Sequence, residues 1–171
     1  FDSIPNLLER TGTNDKCSIT ALYAVLVDGD DMNEPIADTV RGVLDGHIVL
    51  SRKLASSYHY PAIDVLASLS RSGKHVTGKA TQKAAGKIRE WMAVYQNNIQ
   101  MINTGIYQKG SSASIDQAIE KHELIEEFLK QDTDERCTMK QTLDRLAELA
   151  EMELPETDYN ENPNLSVTEN L

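Results

Sequence analysis

The chain has 171 residues and a formal net charge of −10, from 27 acidic and 17 basic side chains. Its length suits one ordinary domain, or one domain with a small appendage, and no apolar run approaches the roughly 18 residues of a membrane span. Residues 1–90 hold 11 acidic and 11 basic groups, whereas residues 91–171 hold 16 acidic and 6 basic groups. An acidic surface matches a phosphate backbone poorly, which argues against nucleic acid and favours a basic protein partner.

The cysteines indicate the redox environment of the chain, and its first residues indicate whether it is part of a longer protein. Cys17 and Cys137 lie far apart and outside any Cys-x-x-Cys or Cys/His spacing, which predicts neither a disulfide framework nor a zinc site. This usage favours a reducing, cytosolic environment. The start at Phe1 shows no secretory signal pattern and no initiator Met, so we expect a chain cut from a longer protein.

Turn residues and apolar spacing predict an α/β portion over residues 1–75. A short helix is expected over 3–11, and the nearly unbroken apolar run 18–27 predicts a strand buried on both faces of a parallel sheet. A turn-rich loop at 28–35 follows. The next predicted elements are a helix over 36–45, a strand over 47–50, a brief helix over 51–57 and an extended stretch over 63–69.

The second half of the chain changes to helical spacing. Apolar side chains recur every three or four residues over 77–103, which predicts one long helix with the stripe Ile88, Trp91, Tyr95, Ile99 and Ile102. Two shorter helices near 114–122 and 123–131 and a last one over 136–152 complete a helical domain over 76–153. Residues 154–171 contain no basic side chain and predict a disordered acidic tail.

The sequence therefore predicts the C-terminal part of a parallel α/β core followed by an all-α helical bundle. A parallel sheet needs more strands than residues 1–75 supply. Either further strands precede this segment in a longer protein, or the strand predictions are wrong. The absence of an initiator Met favours the first explanation.

Local patterns supply no complete active site. The sequence lacks the phosphate-binding pattern GxxxxGK[ST], the dinucleotide pattern GxGxxG and the nucleophile pattern GxSxG. The four histidines show no i,i+4 pair, so we expect no metal site within this chain.

Residues 60–71, YPAIDVLASLSR, resemble the YPA[IV]D…S.SR signature of the rotary ATPase family. That family contains the α and β subunits of ATP synthase, the vacuolar-type subunits and the type III export ATPases. The segment DMNEPIAD at 31–38 resembles the flagellar and injectisome export branch, together with residues 7–12, 18–23 and 44–52. Residues 105–110 and 125–129 resemble the C-terminal helical domain of that branch, so the resemblance covers about residues 1–132.

The resemblance implies the C-terminal part of a RecA-like nucleotide-binding domain over residues 1–75. It also implies ATP hydrolysis with Mg²⁺ by the intact enzyme, in a homohexameric ring that drives protein export. In the family, the phosphate-binding loop, the metal-holding acid and the catalytic glutamate lie upstream of the matching segment, so this chain alone should be inactive. The implied partners are a coiled-coil central stalk protein, export chaperones and substrates, and the export gate. The implied location is cytoplasmic, peripheral to the inner membrane.

Two side chains match functional positions of that family. Arg71 matches the arginine finger that enters the nucleotide site of the neighbouring subunit, where a guanidinium neutralises charge on the γ-phosphoryl oxygens. Without the resemblance, Arg71 would be an ordinary surface arginine after a strand. Tyr60 matches the tyrosine that lies against the adenine ring, and a core tyrosine before a proline turn is the alternative. Asp64 and Ser70 are expected to hold the turn.

A third region matches the segment that faces the pore and the stalk in related rotary enzymes. Acidic and polar groups there would guide a basic coiled coil, and a solvated turn is the alternative. These side chains are Asp30, Asp31, Asn33 and Glu34. We predict a flagellar export ATPase, with the injectisome paralogue and a non-catalytic adaptor for a coiled-coil partner as the other hypotheses.

Overall fold

The computed structural model describes Asn6, residues 10–27 and residues 34–159. The chain divides into two compact units, residues 1–47 and 48–171. The described part contains no helix that is long and apolar enough to cross a membrane. The helix predicted over 3–11 falls mostly outside the described residues, and the domain boundaries expected at residues 75 and 153 stay predictions.

The described residues of the first unit form a small hairpin and one helix. Strand β1 (Gly12–Thr13) pairs antiparallel with β2 (Ser18–Ile19). Helix α1 (Pro35–Val43) begins at a proline, which fits the first turn because the missing N–H would have no helical partner there. It buries Ala37 and Val40 and confirms the helix predicted over 36–45.

The buried strand predicted over residues 18–27 is wrong for this chain. Only Ser18–Ile19 is a strand, its partner is antiparallel, and Leu22 and Leu26 are 93% and 95% exposed. A strand that is buried on both faces needs partners along its edges and cover on each face. Among the described residues, two-residue β1 is the only strand that pairs with it.

The second unit begins within a two-stranded sheet. Strand β3 (Gly46–Leu50) pairs with β4 (Ile63–Ser70), and helix α2 (Arg52–Ser56) connects them. Ser51 caps α2 because its Oγ accepts the N–H of Leu54 at 3.4 Å. These three elements confirm the strand, the brief helix and the extended stretch predicted from the sequence.

The remaining elements are helical. They are α3 (Gly73–Val76), α4 (Lys79–Asn103), α5 (Ala113–Leu129), α6 (Met139–Ala150) and α7 (Glu156–Tyr159). Helix α4 packs against both α5 and α6, and the core between them consists of Ile88, Trp91, Ala118 and Ile125. The predicted long and last helices are confirmed, and with them the predicted fold class of an α/β part followed by an all-helical part.

The two helices predicted near 114–122 and 123–131 are a single helix, α5. Residues 113–129 contain neither Gly nor Pro, so nothing interrupts the helical hydrogen bonds. Ala118 and Ile125 lie seven residues apart, which is close to two helical turns, and both face the core.

The segment after Leu154 is structured where it is described. Asp158 of α7 accepts hydrogen bonds from the backbone N–H and the Oγ1 of Thr81 at 2.8 and 2.9 Å. The disorder predicted from Leu154 onward is therefore wrong for Glu156–Tyr159, because this contact holds α7 against the start of α4. Residues 160–171 lie outside the described residues.

Candidate functional site

Tyr60 lies in the loop between α2 and β4, residues 57–62, here called the tyrosine loop. The loop continues directly from α2, since the N–H groups of Tyr58 and His59 donate to the carbonyls of Ala55 and Leu54 at 3.1 and 3.0 Å. Tyr58 has a φ of 59°, and the peptide bond between Tyr60 and Pro61 is cis. The side chain of Tyr60 is 52% exposed, so part of its ring is open for stacking.

The C-terminal end of α5 holds the tyrosine loop. His59 is 3% exposed, and its Nδ1 lies 2.9 Å from Oε2 of Glu126. The same carboxylate oxygen lies 3.6 Å from Nζ of Lys130. The backbone N–H of Gln131 donates to the carbonyl of Tyr60 at 2.9 Å. Two consecutive residues of the loop are thus bonded to the helical part of the chain.

Arg71 follows directly after the last residue of β4, and its side chain is exposed. The turn around it is built locally, since Oγ of Ser70 accepts the N–H of Gly73 at 3.0 Å where α3 begins. Oδ1 of Asp64 accepts the N–H of Ala67 at 2.9 Å. The Ser70 bond lies in the turn after β4, whereas the Asp64 bond lies within β4, so the turn-holding role expected of Asp64 stays a prediction.

Strand β4 separates the two predicted nucleotide contacts. It has eight residues and is not fully extended, because Oγ of Ser68 donates to the carbonyl of Asp64 at 2.6 Å. Tyr60 precedes the strand and Arg71 follows it. Residues 61–70, which include the whole of β4, lie between the two side chains in sequence.

Of the predicted stalk-facing residues, the structure describes only Glu34. It is half-buried at the N-terminal end of α1, and its carbonyl accepts the N–H of Asp38 at 2.9 Å. Asp30, Asp31 and Asn33 lie outside the described residues. In the residues that are described, no three His, Cys, Asp or Glu side chains are grouped so that they could hold a metal ion.

Sequence reasoning missed His59 and Glu126. His59 stands next to the segment 60–71, and Glu126 stands inside the segment 125–129, so each lies at or within a stretch that carried the resemblance. They are 67 residues apart, and no local spacing links them. A buried histidine needs a partner, but the sequence alone does not say which carboxylate supplies it.

The sequence matches two family models. Residues 1–70 match the ATP synthase alpha/beta family, nucleotide-binding domain, and residues 77–148 match the T3SS EscN ATPase C-terminal domain. The chain is 52% identical to the flagellum-specific ATP synthase of Bacillus subtilis (strain 168) over 87% of its length. It is 48% identical to the type 3 secretion system ATPase of Pseudomonas syringae pv. syringae over 91% of its length. These similar identities do not separate the flagellar from the injectisome branch.

The fold is also similar to those of solved secretion ATPases. The assembled ATPase EscN from the enteropathogenic E. coli type III secretion system matches 87% of this chain with a TM-score of 0.84 and 40% identity. The same ATPase in complex with its central stalk EscO matches 88% with a TM-score of 0.79 and 39% identity. This chain covers 36% and 35% of those two chains and 34% of each of the two curated relatives.

Fold and sequence together define an ATP synthase α/β-type nucleotide-binding segment joined to the C-terminal domain of a secretion ATPase. The chain belongs to the family of flagellar and type III secretion export ATPases and spans about a third of the length of its relatives.

Proposed function

We propose that this chain is the C-terminal part of an ATP hydrolase that energises flagellar or type III protein export as a homohexamer. The names of its relatives, which are ATPases of both systems, support this function. ATP with Mg²⁺ would be the substrate of the whole enzyme. The sequence lacks the phosphate-binding pattern GxxxxGK[ST], so other parts of the enzyme would hold the phosphates and Mg²⁺, and this chain alone would be inactive.

The position of the two candidate side chains at opposite ends of β4 carries the proposal. Tyr60 precedes this strand and Arg71 follows it, so the two side chains would serve different nucleotides. In a ring, Tyr60 would cover the adenine of its own subunit, and Arg71 would enter the site of the neighbouring subunit. Each interface would then combine one tyrosine with one arginine from the next subunit.

The chemistry of each side chain suits its proposed role. The exposed guanidinium of Arg71 would neutralise the charge that spreads over the γ-phosphoryl oxygens in the transition state. The half-exposed ring of Tyr60 would stack on the base without needing a hydrogen bond. Neither role asks this chain to bind the metal.

The loop that ends at Glu34 would face a coiled-coil central stalk, as the known complex of EscN with its stalk EscO supports. The acidic helical part would meet basic surfaces of export chaperones, substrates or the export gate. The enzyme would work in the cytoplasm at the periphery of the inner membrane. None of these partners requires nucleic acid.

The test compares steady-state ATPase rates of the full-length enzyme that carries this sequence. Arg71→Ala should lower kcat by about 10³-fold or more, and Arg71→Lys should recover little, because Lys lacks the planar fork. Mixing Arg71→Ala with a variant of the phosphate-loop lysine should restore part of the activity, since some interfaces would combine an intact finger with an intact loop.

Arg145→Ala is the matched control, because this exposed arginine lies on α6 and pairs only loosely with Glu127 at 3.6 Å. It should turn over like the wild type. If Arg71→Ala also turned over like an active wild type, the finger role would be wrong. A full-length wild type without ATPase activity would instead make the non-catalytic adaptor the better hypothesis.

A further inference from the structure

The hydrogen bond between His59 and Glu126 links the tyrosine loop to α5. A side chain that is 97% removed from solvent, as His59 is, needs a hydrogen-bond partner, and Oε2 of Glu126 at 2.9 Å supplies it. A neutral imidazole that donates from Nδ1 leaves Nε2 as a bare acceptor. Nε2 is buried and has no hydrogen-bond partner among the described residues, so Glu126 alone fixes the orientation of this ring.

A second bond acts on the next residue. The N–H of Gln131, just beyond the end of α5, donates to the carbonyl of Tyr60 at 2.9 Å. The side chain of His59 and the carbonyl of Tyr60 are therefore both held from the helical part, while the Tyr60 ring remains half exposed. This arrangement constrains the backbone and leaves the stacking surface open.

We propose that Glu126 is a positioning residue for nucleotide binding, which acts through His59 and holds Tyr60 ready for the adenine ring. The proposal rests on the function proposed above for Tyr60. A loop that is already ordered loses less freedom when ligand binds, so the bond raises affinity without taking part in the chemistry. The C-terminal helical domain would thereby set the affinity of the ATPase core for nucleotide.

The distinguishing measurement is the split between KM and kcat in the full-length enzyme. Glu126→Ala should raise KM for ATP about 3- to 10-fold, the size expected for the loss of one ordinary hydrogen bond, and change kcat by less than about twofold. Glu126→Gln keeps an acceptor for Nδ1 and should restore KM to near the wild-type value. A merely structural role would lower the amount of active enzyme instead, which reduces kcat and leaves KM unchanged.

Glu127→Ala is the matched control on the same helix. Its side chain is 71% exposed, and it pairs with Arg145 rather than with the tyrosine loop. KM should remain at the wild-type value in this variant. If Glu126→Ala and Glu127→Ala gave the same KM while Tyr60→Ala raised it, the positioning role would be overturned and the role of Tyr60 would stand.

A double-mutant cycle tests the route through Tyr60. In a Tyr60→Ala background, Glu126→Ala should have no further effect on KM, because the ring that it positions is gone. Additive effects would overturn the proposal. If Tyr60→Ala alone left KM unchanged, the proposed contact of Tyr60 with nucleotide would be wrong, and the positioning role of Glu126 would be wrong with it.

Amide hydrogen exchange on the present chain supplies a test that needs no catalysis. Glu126→Ala should speed exchange at the N–H of Gln131 and within the tyrosine loop, relative to Glu127→Ala, while the centre of α4 remains protected. Equal exchange of the loop in both variants would overturn the proposal. Loss of protection throughout α4 would also count against it, because Glu126 would then stabilise the whole helical part rather than position the loop.

Discussion

Two apolar regions of this chain differ in their exposure to solvent. In the helical part, Trp91 and Ile125 are 6% and 2% exposed, whereas in the run 18–27 Leu22 and Leu26 are 93% and 95% exposed. Both regions are rich in large apolar side chains, so hydrophobicity does not explain the difference. The difference follows from backbone hydrogen bonding, because a helix pairs its own N–H and C=O groups, whereas a strand requires neighbouring strands.

The helical part contains everything that it needs to form a core. Helices α4, α5 and α6 each present an apolar stripe, and the three stripes meet within about 70 residues of sequence. The run 18–27 has the composition of a central strand, but β1 gives it a partner over only two residues. The comparison teaches that the buried apolar core of the described residues lies in the helices, whereas the run 18–27 is paired over only two residues.

Removing core volume from each region should give the largest contrast. Ile125→Ala should lower the free energy of unfolding by about 2–5 kcal/mol, because it leaves a cavity between α4 and α5. Leu22→Ala should change it by less than about 0.5 kcal/mol, because that side chain is already in water. Urea unfolding of this chain, followed by circular dichroism, measures both.

Leu124→Ala provides a control one residue from Ile125. Leu124 lies on the same helix but is 48% exposed, so Leu124→Ala should lower the free energy of unfolding much less than Ile125→Ala. If Leu22→Ala destabilised the chain as much as Ile125→Ala, the run 18–27 would be part of the core, and the comparison between the two regions would fail.

Local periodicity predicted much of the fold, and long-range contacts account for most of what it missed. The stripe through Ile88 and Trp91 predicts α4 because the 3.6-residue repeat is a local property. The capping box of α6, in which the N–H of Gln141 donates to Oγ1 of Thr138 at 3.2 Å, was also readable as a Thr-x-x-Gln pattern. Splitting α5 in two was an error that the absence of Gly and Pro could have prevented.

The candidate site depended on resemblance rather than on spacing. Arg71 and Tyr60 are single residues whose proposed partner is a nucleotide outside this chain, so no local pattern marks them. The bond between His59 and Glu126 spans 67 residues, and the bonds between Thr81 and Asp158 span 77 residues. Such pairs follow from how the elements pack, and only the structure shows them.

The contact between α7 and α4 offers a second test of where stability resides. The N-cap of α4 is Gly78, which has no side chain, and Asp158 accepts the N–H of Thr81 in its place. Asp158→Ala should therefore cost about 1 kcal/mol of unfolding free energy, as the loss of a helix cap does. Thermal or urea unfolding of the single variant measures this cost.

Gly78→Ser gives a sharper test, because its effect on the free energy of unfolding should change sign between two backgrounds. A Cβ at Gly78 would collide with the carboxylate of Asp158, so the single variant should be destabilised. In the Asp158→Ala background the space is open and the new hydroxyl can cap α4, so the same substitution should stabilise. Destabilisation in both backgrounds would mean that Asp158 does not act as the cap.

The smallest predicted effect is the pH dependence of the pair between Lys121 of α5 and the exposed Glu151 at the end of α6. The hydrogen bond from Lys121 to Glu151, and then the charge of Lys121, lower the pKa of the Glu151 carboxyl below its ordinary value of 4.5. A carboxyl with a depressed pKa adds stability above the unfolded value, and this stability is lost as the pH falls through the folded value. Glu151→Gln should therefore be less stable than the wild type at about pH 7, and the two should converge below about pH 4. In a Lys121→Met background, Glu151→Gln should change the free energy of unfolding by the same amount at every pH.

If the stability difference between Glu151→Gln and the wild type stayed constant down to about pH 3, Glu151 would act through packing at the end of α6 rather than through its charge.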